Sequence, residues 1–154
     1  VKKINNNSGG KSKLKTQNID QQIEALLTEC GLKKTKIRKL IIGVFLTQSR
    51  ALSYNDLVGL IPNMLDKSTV YRNLAKLETK EIIHPVENTT GIIKYALGKP
   101  NDGVQKQHAH FQCTECDDVF CLNETDIDIP SVPSNFTIKS INITLKGTCK
   151  KCNA

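Results

Sequence analysis

Apolar residues in the first half of the chain recur at helical spacing. Ile19, Ile23, Leu26 and Leu27 share one helix face, and Gly31 is placed to end that helix after Cys30. Ile37, Leu40, Ile41, Val44 and Phe45 continue the pattern, with Thr35 at the N-cap position. Ser53 opens a third run carrying Leu57, Leu60 and Ile61, stopped by Pro62. Asp66 or Ser68 opens a fourth, with Val70, Leu74 and Leu77. The pattern then turns β-like over 82–86 and 92–97, with Thr90-Gly91 as the turn between. Helices followed by such a hairpin predict a winged helix-turn-helix, the fourth helix for recognition and the hairpin as wing. Lys67, Ser68, Thr69, Tyr71, Arg72 and Lys76 lie on the polar face of that fourth helix. Hydroxyls at a helix N-terminus suit phosphate, and Tyr or Arg one turn in can reach groove edges. A merely solvated amphipathic helix is the competing reading.

Gly98, Lys99, Pro100, Asn101, Asp102 and Gly103 break the composition, and 98–106 reads as a hinge. Beyond it, 109–112, 119–122 and 137–145 read as strands. Pro130 and Pro133 argue against a long helix between the last two. Residues 1–17 are mostly Asn, Ser, Gly and Lys and are expected to form a disordered basic tail. The class expected is therefore α+β. Its parts are a tail at 1–17, a winged helix at 18–97, a hinge at 98–106 and a metal-binding unit at 107–154.

Charge sharpens this division. Residues 1–50 carry 11 Lys/Arg against 3 Asp/Glu, 51–100 carry 6 against 5, and 101–154 carry 5 against 7, within a net charge of +7. A basic first third beside a slightly acidic last third suggests that one meets phosphate while the other senses or assembles. A solvated lysine surface would give the same count. No apolar run approaches the ~20 residues of a membrane span. The N-terminal lysines and asparagines precede no apolar stretch, so a secretory signal is not expected and a cytoplasmic location is.

The cysteines carry the chemistry. Cys113/Cys116 and Cys149/Cys152 form two Cys-x-x-Cys pairs, the pattern of one tetrahedral zinc site. The 32 residues between the pairs exceed an ordinary zinc ribbon and leave room for an inserted sheet. Two of the three histidines, His108 and His110, lie just upstream. On a strand, residues i and i+2 face the same way, so both imidazoles can reach one ion.

Four stretches resemble the ferric uptake regulator family of metal-dependent repressors. They are Gly31-Leu32-Lys33-Lys34-Thr35 with Arg38, Ser68-Thr69-Val70-Tyr71-Arg72-Asn73-Leu74, His108-Ala109-His110-Phe111-x-Cys113-x-x-Cys116, and Gly147-Thr148-Cys149-x-x-Cys152. The resemblance implies a homodimer with an N-terminal winged helix and a C-terminal α/β dimerisation domain. It implies binding of palindromic double-stranded operator DNA when a regulatory metal is loaded. It places Tyr71 and Arg72 against DNA, with Lys33 and Arg38 as phosphate contacts, and assigns the four cysteines to structural zinc.

The chain also departs from the iron-sensing pattern. Where such relatives carry a histidine and an acidic residue, the matching positions are Ala51 and Ala96. The strand motif begins Gln107-His108-Ala109-His110 rather than His-His-Asp-His, and Ile141 stands where the secondary site has its remaining histidine. Zinc uptake regulators resemble the chain more closely. They have a ligand histidine at the wing position of His84, and an acidic ligand where Cys121 stands here. His84, His108, His110 and Cys121 would make a regulatory site of three nitrogens and one sulfur. That donor set favours Zn2+, with Fe2+ or Mn2+ as alternatives. The expected function is a zinc-responsive repressor. Alternatives are an iron or peroxide sensor of the same family, with Asp126 and Asp128 as candidate carboxylates, and a thiol switch using Cys121 or Cys30. A zinc deaminase would need a His-x-Glu, which is absent, and neither a Ser/His/Asp set nor a phosphate loop occurs, so no enzyme and no small organic substrate is expected.

Overall fold

The computed structural model describes residues 10–61, 66–98, 108–122, 131–139 and 141–154. Four helices come first: α1 (Gly10–Glu29), α2 (Lys36–Thr47), α3 (Tyr54–Leu60) and α4 (Lys67–Thr79). A strand β1 (Leu52–Ser53) separates α2 from α3, and β2 (Ile83–Val86) and β3 (Lys94–Leu97) follow α4. A second group holds β4 (Ala109–Cys113), β5 (Val119–Leu122) and β6 (Thr144–Gly147).

Local chemistry accounts for the helix ends. Thr35 caps α2 by accepting from the Arg38 amide. Ser53 and Asp56 form a reciprocal capping box on α3. Asp66, rather than Ser68, caps α4 by accepting from the Thr69 amide. Gly31, with φ of 64°, turns the chain out of α1, a left-handed conformation that glycine adopts without strain. The structure carries α1 back to Gly10, into the stretch expected to be a disordered tail; residues 1–9 lie outside the described residues. Lysine and glutamine are good helix formers, so a helix nucleated by the packed turns around Ile23 and Leu27 can extend through them.

The apolar faces of the four helices meet in one core. Ile23, Leu27, Ile41, Ile42, Leu57, Val70, Leu74 and Leu77 are buried together with Leu52 and Ile83 of the first sheet and Ile82 just before β2. That sheet is antiparallel in the order β1-β3-β2, so the expected hairpin gains a third strand, paired Leu52 to Tyr95. Two residues are too few for a period to show. β2 lies at the edge, where the missing N–H of Pro85 breaks no inner ladder.

The second sheet has the order β5-β4-β6, with β4 antiparallel to β5 and parallel to β6. The strand expected over 137–145 is largely replaced: residues 131–139 are exposed and include a turn in which the Phe136 amide donates to Pro133 O at 2.9 Å, and among the described residues the ladder begins at Thr144. Phe136 and Ile138 supply strand-like composition but are exposed and in no strand among the described residues. No helix occurs among the described residues between β5 and β6. Of the expected hinge, Gly98 is pinned, its amide donating to Ile82 O at 2.8 Å, while 99–106 lie outside the described residues. No helix among the described residues is long and apolar enough to cross a membrane.

Candidate functional site

Two side-chain clusters have metal-ligand chemistry: Cys113, Cys116, Cys149 and Cys152; and His84, His108, His110 and Cys121. Within each, one donor atom from every residue lies within 4.8 Å of the others.

The β4–β5 turn builds the first half of the cysteine cluster. Asp117, with φ of 56°, reverses the chain, its amide donating to Cys113 O at 3.1 Å and the Cys113 amide to Asp118 O at 2.9 Å. The parallel β4·β6 register sets Gly147 opposite Cys113 and so delivers Cys149 to the same point. A Cβ on Gly147 would stand 3.3 Å from the Phe111 ring, which would have to give by a few tenths of an ångström to admit it. The Cys149 amide donates to Cys113 Sγ at 3.3 Å. Cys116 Sγ and Cys149 Sγ are 3.8 Å apart. With Zn–S near 2.3 Å, a tetrahedron has edges of about 3.8 Å, so the spacing suits that ion. The amide of Cys149 draws the Cys113 thiol down to about 6, whereas hydrogen bonding with Cys116 and Cys149 pushes Cys152 up to about 12. Cys113 ionises readily and Cys152 then resists. A divalent cation would relieve that repulsion.

The second cluster is split between the sheets. His84 comes from β2 in the first sheet. His108 precedes β4, His110 lies on β4, and Cys121 stands directly opposite His110 on β5. His84 Nε2 is 3.4 Å from His110 Nε2 and 3.9 Å from Cys121 Sγ. Tetrahedral zinc sets such N···N and N···S edges at about 3.4 and 3.5 Å. The three rings stand 4.7 to 5.6 Å apart, centroid to centroid. Burial, then the neighbouring imidazoles His108 and His110, lowers His84 to about 4. Burial, then His108, does the same to His110. Both rings are therefore neutral near pH 7 with a lone pair to offer. Burial pushes Cys121 up to about 11, so a cation taken there must displace its proton. Ala51 and Ala96 are buried with Val86 and Val119, and Cys121 packs against them. The two positions at which the iron-sensing pattern has ligands therefore present methyl groups beside the cluster. Asp126 and Asp128 lie outside the described residues. Cys30 packs instead against the helical core.

The polar face of α4 is partly engaged with itself. Ser68 and Thr69 hydroxyls both donate to the Asp66 carboxylate. Arg72 Nη2 donates to Ser68 Oγ at 3.0 Å and Nε to Ser68 O at 3.2 Å. Lys67, Tyr71 and Arg72 are exposed. Tyr71 lies flat on Tyr54, ring centroids 4.1 Å apart with the planes 1° from parallel. Tyr54 escaped the sequence reading because it is the lone aromatic on α3, and the stack requires α3 and α4 to be juxtaposed. Lys33 is exposed, and its carbonyl accepts from Arg38 Nη1 at 3.0 Å.

The ferric uptake regulator family model matches residues 29–146. Among curated relatives, the ferric uptake regulation protein of Bordetella parapertussis is 31% identical over 134 residues, covering 82% of this chain and 93% of that one. Its Bacillus subtilis counterpart is 27% identical over 145 residues, covering 89% and 96%. A solved zinc uptake regulator, complexed with zinc and DNA, superposes with a TM-score of 0.64 at 23% identity, covering 90% of this chain and 95% of that one.

Proposed function

The chain belongs to the ferric uptake regulator family of metal-responsive transcription regulators, and from that premise we propose that it is a zinc-responsive repressor that binds palindromic operators as a homodimer. The family includes members dependent on zinc, iron and manganese, so the donor chemistry of this chain must choose among them. The observation that carries the choice is the cluster of His84, His108, His110 and Cys121, which among the described residues offers three imidazole nitrogens and one thiol and no carboxylate. Thiolate with imidazole suits zinc, while iron(II) and manganese(II) take harder donors. The cysteine cluster is the structural zinc site in this reading, holding the second sheet together.

His108, His110 and Cys121 would hold the zinc together with His84, and its positive charge would let Cys121 stay ionised. His84 belongs to the unit at 18–97, with β2 and β3 as its wing, and the other three belong to 107–154. Bringing them together restricts how α4 is presented across the dimer, a population shift toward the form that fits DNA. Tyr71 and Arg72 then face the bases or backbone, with Lys67, Ser68, Thr69, Lys33 and Arg38 around them. Exposed Val132, Phe136, Ile138 and Leu145 on the second unit support its role as the dimerisation surface.

DNA selected from a random pool against the zinc-loaded protein provides the test. Zinc should support its binding at concentrations where manganese and iron(II) do not, and hydrogen peroxide should leave the zinc form bound. Binding driven by iron(II) or manganese with zinc ineffective would contradict the proposal.

A further inference from the structure

Besides the contacts between its own members, the split histidine–cysteine cluster is flanked by contacts across the same junction that involve none of them. Arg50, in the link between α2 and β1, spans two carboxylates. Its Nη2 lies 3.1 Å from Asp56 Oδ1 and its Nη1 3.4 Å from Asp118 Oδ1. Asp56 belongs to the α3 capping box, while Asp118 sits in the cysteine turn between β4 and β5. Beside this pair the Ala51 amide donates to Val119 O at 2.7 Å. Lys94 of β3 reaches Asp117 O at 2.5 Å, and its residue is only 8% exposed. Across the same junction, Gln112 Nε2 donates to Thr89 Oγ1 at 2.8 Å, from a residue that is 2% exposed. The seam thus joins the first sheet to the turn that carries Cys113 and Cys116.

We infer that Arg50 is a positioning residue for the regulatory metal: by pinning Asp118 to the α3 cap it holds the two halves of the His84/His108/His110/Cys121 cluster together before any metal arrives. The inference rests on reading that cluster as a metal site. Its physics is preorganisation. When ligands are divided between two units, the apparent affinity equals the intrinsic affinity scaled by the fraction of molecules with the units docked. Side chains that favour docking raise that fraction without touching the ion. An arginine fork can serve two carboxylates at once, which a lysine cannot do with the same geometry.

Arg50→Met leaves the Ser53–Asp56 capping box in place, and Asp118→Asn leaves α3 untouched. Zinc affinity of the second site, measured by chelator competition on the full chain, should weaken roughly tenfold in either variant. The double variant should be little worse than each single one, and Arg50→Lys should recover only part of the loss. Zinc at the cysteine cluster should be retained throughout. Unchanged affinity in Arg50→Met, or effects that simply add, would overturn the inference. A second readout needs no metal at the regulatory site. The Ala51 amide, donated to Val119 O, should exchange slowly with solvent in wild-type protein stripped of its second zinc and faster in Arg50→Met. Equal exchange in both sinks the role of Arg50. A wild-type chain that holds zinc only at its cysteines sinks the reading of the metal site and leaves the exchange result standing.

Discussion

Asp56 shows how much one side chain can carry. Its carboxylate accepts from the Ser53 amide at 2.9 Å and from Ser53 Oγ at 2.6 Å, and it pairs with Arg50. Burial disfavours its charge, but the hydrogen bonds from Ser53 and Arg50 outweigh that and hold it at about 2, below the ordinary 3.8. A carboxyl depressed in the folded state contributes stability that is complete above the unfolded value and is lost as pH falls through the folded one. Asp56→Ala should therefore cost about 1 kcal/mol near neutral pH, the usual effect of a lost cap. In thermal melts, the gap between variant and wild type should narrow between pH 3.8 and about 2. A gap that stays constant across that window would show that the charge of Asp56 contributes nothing. Asp56 was invisible to the sequence reading as more than a helix residue, although Ser53 was recognised as a helix start. The reciprocal bond is local and could have been found from the Ser-x-x-Asp spacing. Its link to Arg50 depends on how the α2–β1 link folds against α3 and has no such spacing signature. Its extension to Asp118 could not be seen at all, because nothing in local spacing brings residue 118 to residue 50.

At the scale of elements, helices were more legible than strands. The apolar stripes of α2, α3 and α4 and their caps are written within single turns of sequence. Strands β4 and β5 were also legible, with β5 read at its observed bounds of Val119–Leu122. The failures share a cause. β1 is two residues long, and 137–145 has the composition of a strand but among the described residues joins the ladder only from Thr144. Pairing, not propensity, decides such cases. Gly98 illustrates the same distinction. It looked like the beginning of a hinge, yet it closes the first sheet: a Cβ there would meet Glu81 O at 2.4 Å. Gly98→Ala should destabilise the fold by roughly 1–3 kcal/mol through this clash. Gly59→Ala, on α3 with nothing within 4 Å of its added carbon, is the control and should be neutral or mildly stabilising in the same chemical denaturation series. Equal behaviour of the two variants would show that the close approach at Gly98 is easily relieved.

At the scale of the molecule, the grouping of the four cysteines was legible because each x-x spacing lets two thiols reach one point. The histidine–cysteine cluster was legible only in part. His108 and His110 follow from strand alternation, but His84 and Cys121 came from resemblance to zinc uptake regulators, since they join the set only when the two sheets face one another. That juxtaposition is now a matter of geometry, with His84 3.4 Å from His110 across the junction. The central claim is that this second cluster is a zinc site distinct from the cysteine knuckles. The most direct measurement is zinc content per chain after equilibration with a weak chelator, in the native protein and in Cys121→Ser. The account predicts two ions per chain, one for each cluster, falling to one in the variant with the cysteine knuckles still loaded. One ion per chain in both proteins would contradict it.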